Sequence, residues 1–275
     1  HELMGQITKE LFDTMCVPWE IFPHNAEDIA PALQRADEYM QKEQRPYAFI
    51  MEKGTVAPQA LHKNPVQDIS QRKTLVRSSH NPDAKAINRN NALQRIIEHT
   101  PEENTVLIAT TGFTGRELFA VNDRPNHLYM VGSMGCASSL GLGVALARPD
   151  LKVVIIDGDG AGLMRMGNFA TIGSYAGNNL IHILLNNEVH DSTGAQATVG
   201  GNIDFTKVAE ASGYSVCLSG NQIELIDKLF SLSPQDGPVF AHLKIASGTI
   251  DNLPRPDVTP NEVLTRLMKH INSSF

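Results

Sequence analysis

The sequence predicts an α/β fold, a doubly wound parallel sheet of about six strands over residues 87–275, preceded at 1–55 by the C-terminal part of a second α/β domain. Three observations carry this. From Arg89 onward, apolar runs of strand length alternate with helical patterns. The central runs are near-continuously apolar, as strands of a parallel sheet covered on both faces are. One of them, Val153–Ile156, runs straight into a glycine-rich, acidic turn, and ligands of such sheets sit at the carboxyl ends of the strands.

In the first stretch, Met4, Ile7, Leu11 and Met15 fall on one helix face. Trp19–Phe22 reads as a short strand closed by Pro23. Asn25 or Glu27 then opens a long helix with Ile29, Leu33, Ala36 and Met40 on one side, and Tyr47–Met51 reads as a buried strand ended by Gly54. Two strands alone make an improbable sheet. The chain also starts at His1 rather than Met, so the beginning of this domain is expected to lie outside the sequence. Residues 56–86 lose periodicity around Pro58, Pro65 and Pro82 and read as a linker. Beyond it the strand candidates are Val106–Ala109, Leu128–Val131, Lys152–Ile156, Leu180–Leu185, Tyr214–Leu218 and Val239–Lys244. Helical patterns separate them at Asn90–His99, Thr114–Ala120, Ala137–Ala147, Leu163–Ala176, Phe205–Ala211 and Gln222–Leu232, with a last helix at Asn261–Ile271.

Composition narrows the function classes. The chain has 275 residues with 41% hydrophobic and 19% charged content, an ordinary globular balance long enough for one large or two modest domains. The 23 Lys and Arg against 30 Asp and Glu leave a net charge of −7, which speaks against a broad nucleic-acid surface. The basic residues at 63–85 lack interleaved aromatics and read as a solvated connector. Cys16, Cys136 and Cys217 form no CxxC spacing or disulfide framework, which favours a reducing, cytoplasmic setting. No run approaches about 18 consecutive apolar residues, so no membrane span is expected.

The strongest local signal is Asp157-Gly158-Asp159-Gly160-Ala161-Gly162 between a strand and a helix starting near Leu163. Strand end, glycine turn and helix N-terminus make an anion site. A carboxylate, Asp159, in the middle of that site makes sense when a hard divalent cation lies between acid and phosphate. The next strand ends in Asn186-Asn187-Glu188-Val189-His190, delivered to the same sheet edge, where an amide oxygen and a backbone carbonyl complete an oxygen-only ligand set. Three plainer readings compete. The acidic glycines form a simple turn; or they form a calcium loop, which lacks its Glu because the twelfth residue is Asn168; or they form a dinucleotide fingerprint, which lacks its third glycine.

Gly158-Asp159-Gly160, a helix, an apolar strand and Asn186-Asn187 together resemble the cofactor motif of thiamine diphosphate-dependent 2-keto acid decarboxylases, acetohydroxyacid synthases and their relatives. Thr110-Thr111-Gly112-Phe113-Thr114 resembles that family's loop beside the diphosphate, and Gly132-Ser133-Met134-Gly135 its loop around the aminopyrimidine. The resemblance implies a diphosphate-binding domain at 87–275 and the C-terminal part of a pyrimidine-binding domain at 1–55. Within the family, the segments at 134–141, 163–167 and 186–194 resemble the branch acting on phosphonopyruvate. The Ser192-Thr193-Gly194-Ala195-Gln196 tail is shared with the branch acting on sulfopyruvate, which typically lacks the preceding His190-Asp191.

That resemblance implies thiamine diphosphate and Mg²⁺ as cofactors, with Mg²⁺ held by Asp159, Asn187 and the Val189 carbonyl; Asn186 is the alternative amide or orients the strand end. Thr111, Gly112, Gly160 and Ala161 would face the diphosphate, and Gly132, Ser133 and Met134 the pyrimidine. His190 is the substrate-facing candidate, a proton donor or phosphonate contact. The implied reaction is decarboxylation of 3-phosphonopyruvate to phosphonoacetaldehyde in phosphonate biosynthesis. Sulfopyruvate decarboxylation, or a non-catalytic cofactor-binding module, are the alternatives. The family's activating Glu matches no residue in 1–55, so the chain is expected to be catalytically incomplete by itself. The implied partners are a small anionic 2-keto acid and further copies of the chain, at least a dimer, with neither nucleic acid nor membrane.

Overall fold

The computed structural model describes residues 2–60, 68–70, 72–232 and 236–273. The chain divides into two compact units, His1–Asn64 and Pro65–Phe275.

The first unit comprises α1 (Glu2–Thr14), β1 (Trp19–Ile21), α2 (Ala26–Glu43) and β2 (Ala48–Ile50). β1 and β2 pair in parallel with Trp19 opposite Ala48, as a strand–helix–strand crossover requires. Half-buried Phe22 meets Phe49 edge to face at 5.8 Å between ring centres, and Tyr47 lies tilted against Phe49 at 5.5 Å. α2 buries Ala32 and Ala36, whereas Leu33 and Met40 on the expected apolar side are exposed.

In the second unit β3 (Leu75–Ser79), α3 (Arg89–Glu98), β4 (Thr105–Ala109), α4 (Phe113–Val121), β5 (His127–Tyr129) and α5 (Ala137–Ala147) lead to the centre of the fold. There β6 (Lys152–Gly158), α6 (Asp159–Met164), α7 (Gly167–Tyr175) and β7 (Leu180–Asn186) follow one another. A short hairpin, β8 (Val189–His190) with β9 (Gln196–Ala197), comes next. Then α8 (Phe205–Ala211), β10 (Val216–Gly220), α9 (Glu224–Ser231), β11 (Val239–Lys244) and α10 (Pro260–Ser273) complete the chain. Seven strands form one sheet in the order β3-β10-β11-β7-β6-β4-β5, with every neighbouring pair parallel.

The order reverses direction between β4 and β6, since β5 lies outside β4 and β7 on the far side of β6. At such a switch point the loops after the two strands diverge to opposite faces and leave a crevice at their carboxyl ends. Thr110–Gly112 follows β4 there, and Asp159 follows β6. Val153 to Ile156 of β6 and Leu180 to Leu185 of β7 are all buried. At about 1.5–3 kcal/mol for each large apolar side chain, this burial fixes the two strand ends that carry the acidic turn and the Asn pair.

Two expectations need correction. The linker reading of 56–86 fails beyond Arg72, because Leu75–Ser79 is an edge strand paired in parallel with Val216–Gly220. Arg72 donates to the carbonyls of Gly173 and Gly213 at 2.8 and 2.6 Å, and Thr74 to that of Tyr214 at 2.8 Å, tying the approach to the sheet. Residues 61–67 of the same stretch, Lys63 and Pro65 among them, lie outside the described residues. The sheet thus has seven strands rather than six. The helix expected at Leu163–Ala176 is two helices that start earlier, at Asp159. Arg165 leaves helical geometry at φ −131° and ψ 42°, and the chain restarts at Gly167 so that Phe169 and Ile172 reach the core. Among the described residues no helix is long and apolar enough to cross a membrane.

Candidate active site

β6 passes into α6 without an intervening loop, so Asp159 is the first residue of the helix while its side chain is 1% exposed. A cavity opens at this point, at the switch between β4 and β6. Nine of the eleven sequence-predicted site residues line it: Thr111, Gly112, Met134, Asp159, Gly160, Ala161, Asn187, Val189 and His190. Gly132 and Ser133 do not. They form an exposed left-handed turn, φ 71° and 48°, which leads the chain from β5 to Met134. Thr193 and Gln196 bond to each other on the exposed hairpin and do not reach the cavity.

Glycine is required where backbone and side chain meet most closely. A Cβ on Gly160 would lie 2.4 Å from Cε1 of His190, so the imidazole rests directly on that glycine. Gly112 has φ +99°, a conformation that glycine alone adopts without strain, and it turns the chain from β4 into α4.

Asp159 has few partners for a buried carboxylate. Its Oδ2 accepts from the Thr198 hydroxyl, and Gly200 packs against it. Burial pushes its carboxyl above the usual carboxylate range, against the Thr198 hydroxyl and the backbone N–H groups that favour the charged form. The Thr110 hydroxyl, also at the cavity, is buried without a hydrogen-bond partner. An acid short of positive charge and an orphaned hydroxyl at one glycine-lined cavity fit a cation and an oxyanion bound together. Among the described residues no three His, Cys, Asp or Glu side chains are placed to hold a metal. A cation held here would draw on carboxylate oxygen together with amide and backbone oxygens.

The two asparagines part company. Asn186 is buried and committed at both ends of its amide: Nδ2 donates to the Gly200 carbonyl at 3.3 Å and to His242 Nε2 at 3.0 Å, and Oδ1 accepts from the Glu188 N–H at 3.0 Å. Burial holds His242 down to about 4, which keeps Nε2 free to accept. Asn187 faces the cavity, with Nδ2 donating to Asp191 Oδ2 at 2.6 Å and Oδ1 accepting only the distant Val189 N–H at 3.4 Å. Behind the site His182 is a buried core residue, between Asp157 Oδ2 at 3.2 Å and the Tyr214 hydroxyl at 3.1 Å.

Several site residues have no local signature in the sequence. Thr198 and Gly200 reach Asp159 only because the β8–β9 hairpin turns the chain back. Arg89 and Asp191 both line the cavity and pair at 2.7 Å across 102 residues of sequence, and Arg89 also pairs with Glu117 at 2.9 Å. Asp191 was legible as part of the segment after the Asn pair, whereas Arg89 and Glu117 read as ordinary helix residues.

A family profile described as "Thiamine pyrophosphate enzyme, C-terminal TPP binding domain" matches residues 109–243. The phosphonopyruvate decarboxylase of Streptomyces viridochromogenes is 38% identical over 278 residues, covering 99% of this chain and 68% of that protein. The sulfopyruvate decarboxylase subunit beta of Methanothermobacter thermautotrophicus is 38% identical over 172 residues, 62% of this chain and 90% of the relative. Among solved structures, a putative thiamin diphosphate-dependent enzyme from Mycobacterium smegmatis matches with a TM-score of 0.50 at 17% identity, covering 65% of this chain and 34% of that one, a likeness of fold. The chain spans about two thirds of the length of the phosphonopyruvate decarboxylases it matches.

Proposed function

The chain belongs to the thiamine diphosphate-dependent decarboxylases, and from that membership we propose that it takes part in decarboxylating 3-phosphonopyruvate to phosphonoacetaldehyde and CO₂. The observation that carries this reading is the placement of a buried carboxylate, an amide and glycine backbone at one cavity of a chain alike over 99% of its length to a phosphonopyruvate decarboxylase. Thiamine diphosphate, when bound, supplies the electron sink for the pair left behind by departing CO₂.

The protein's own contributions follow from its donors. Asp159, the Asn187 amide oxygen and the Val189 carbonyl would hold Mg²⁺ between the protein and the diphosphate. Gly160 and Ala161, which line the same cavity, would offer backbone N–H groups to the diphosphate, and Thr110 and Thr111 would add hydroxyls. Met134 lines the cavity where a bulky side chain would bend the cofactor, with Gly132 and Ser133 on the pyrimidine side. His190, pressed on Gly160 at the cavity, would hold or deliver a proton or meet the anionic head of the substrate.

Residues 1–55 would be the C-terminal part of a pyrimidine-binding domain, and the chain would act as a homo-oligomer of at least two copies. The subunit naming of the sulfopyruvate relative supports assembly. Three free thiols, Cys16, Cys136 and Cys217, support a cytoplasmic setting. The test is phosphonoacetaldehyde formation by the intact protein with thiamine diphosphate and Mg²⁺. Turnover of sulfopyruvate alone would move the assignment to that substrate, and cofactor binding without turnover of either would reduce the protein to a binder.

A further inference from the structure

We propose that Asp191, clamped by Arg89, is a positioning residue for the divalent cation: it sets the Asn187 amide with its nitrogen turned to Asp191 and its oxygen left for the metal. This rests on the reading of the cavity given above.

An Asn side chain presents oxygen or nitrogen to the same point, depending on a half-turn of its amide. Only the oxygen can ligate a cation; the NH₂ face repels it. A carboxylate accepts and cannot donate, so the 2.6 Å contact with Asp191 Oδ2 requires Nδ2 on that side. Oδ1 is then held by nothing stronger than the Val189 N–H at 3.4 Å and retains a lone pair.

Asp191 cannot swing away to release the amide. Its Oδ2 accepts from Arg89 Nη2 at 2.7 Å, and the Gly248 N–H reaches both of its oxygens at 3.0–3.1 Å. Arg89 is fixed in turn by Glu117 at 2.9 Å and by the Gly248 carbonyl at 3.0 Å. The side chains of Arg89, Glu117 and Asp191 are 6%, 1% and 8% exposed. Two buried carboxylates thus share one guanidinium, and Arg89 and Asp191 line the same cavity as Asp159. Buried ion clusters are poor sources of stability compared with packed apolar side chains. Orienting one amide beside a cation is a use for such a cluster that an apolar replacement could not supply. Partners of this kind behind a metal ligand typically change metal affinity by about 10–100-fold when removed.

The experiment measures Mn²⁺ affinity by electron paramagnetic resonance, with thiamine diphosphate present, for the unaltered chain and for Asp191→Ala. Alanine at 191 removes the acceptor that faces Asn187 Nδ2, so Asn187 can then take either orientation. Mn²⁺ binding is expected to weaken about 10–100-fold and cofactor uptake to recover at high Mn²⁺. If Asp191→Ala does not fold, Arg89→Lys takes its place, since an ammonium keeps the charge but cannot fork between Glu117 and Asp191. A folded variant with unaltered Mn²⁺ affinity overturns the proposal, whether or not its melting temperature falls; a fall alone would mark the cluster as a structural staple. If the unaltered chain itself takes up no Mn²⁺ with the cofactor, the reading of the cavity fails first and the positioning role falls with it.

Discussion

Alanine at Gly200 would place a methyl group against the carboxylate at the centre of the cavity. The added Cβ would lie 2.5 Å from Asp159 Oδ2, 2.9 Å from Asp159 Cβ and 3.0 Å from Thr198 Oγ1. Gly200 is not among the residues with positive φ, so the backbone accepts alanine and the effect is steric. Relief to ordinary contact requires the carboxylate to move by roughly 0.9 Å. Rotation of Asp159 alone does not suffice, because its Cβ is tethered to the first residue of α6. Either the turn at 200–202 or the start of α6 must shift, at a typical overpacking cost of about 1–3 kcal/mol. A shift approaching an ångström matters more for Mg²⁺, which demands near-ideal oxygen geometry, so cofactor affinity in the presence of Mg²⁺ should fall at least about tenfold. Urea unfolding of the metal-free chain and calorimetric titration with thiamine diphosphate and Mg²⁺ measure the two effects. Unchanged stability together with unchanged affinity would refute the packing of Gly200 on a metal-binding Asp159.

Other expectations follow from the same structure. On α5, Gly143→Ala meets nothing within 4 Å and should stabilise by up to about 1 kcal/mol, whereas Gly141→Ala puts a Cβ 2.5 Å from Ile155 and should destabilise; opposite shifts in urea midpoint check the pair. Thr110→Val removes a buried, unpartnered hydroxyl and should stabilise the cofactor-free chain by about 1 kcal/mol while weakening diphosphate uptake, read by unfolding and calorimetry. Burial lowers His242 from 6.5 to about 4, so the folded chain resists its protonation while the unfolded chain does not. Its contribution is therefore present above the ordinary value and lost as pH falls towards 4, on the order of 2 kcal/mol between pH 6.5 and 5. His242→Gln, which keeps an acceptor for Asn186, should flatten that part of a stability–pH profile; an unchanged slope would show that His242 is not held neutral.

How far the sequence discloses the site depends on where each residue sits. Asp159 and Asn187 are legible because they end two apolar strands, and the parallel order of β6 and β7 brings such ends to one edge. β3 is not legible, since Leu75 and Val76 are followed by Arg77, Ser78 and Ser79, and all five lie exposed on an edge strand held by backbone pairing alone. The break between α6 and α7 is hidden because Leu163, Met164 and Met166 continue an apolar pattern through it. Thr198, Arg89 and Glu117 are brought in by tertiary folding from distant sequence, and no local pattern of charge or spacing marks them. The choice between Asn186 and Asn187, open in the sequence, becomes a matter of partners: one amide is spent on Gly200, His242 and Glu188, while the other keeps an oxygen at the cavity.

The proposed site would take thiamine diphosphate through a divalent cation held by Asp159. Calorimetric titration of the cofactor into the chain, with and without Mg²⁺, tests this directly. The expected result is one cofactor per chain, bound only with Mg²⁺ and lost in Asp159→Asn although the variant remains folded. Binding that ignores both the metal and the Asp159 substitution, or no binding at all, would contradict it.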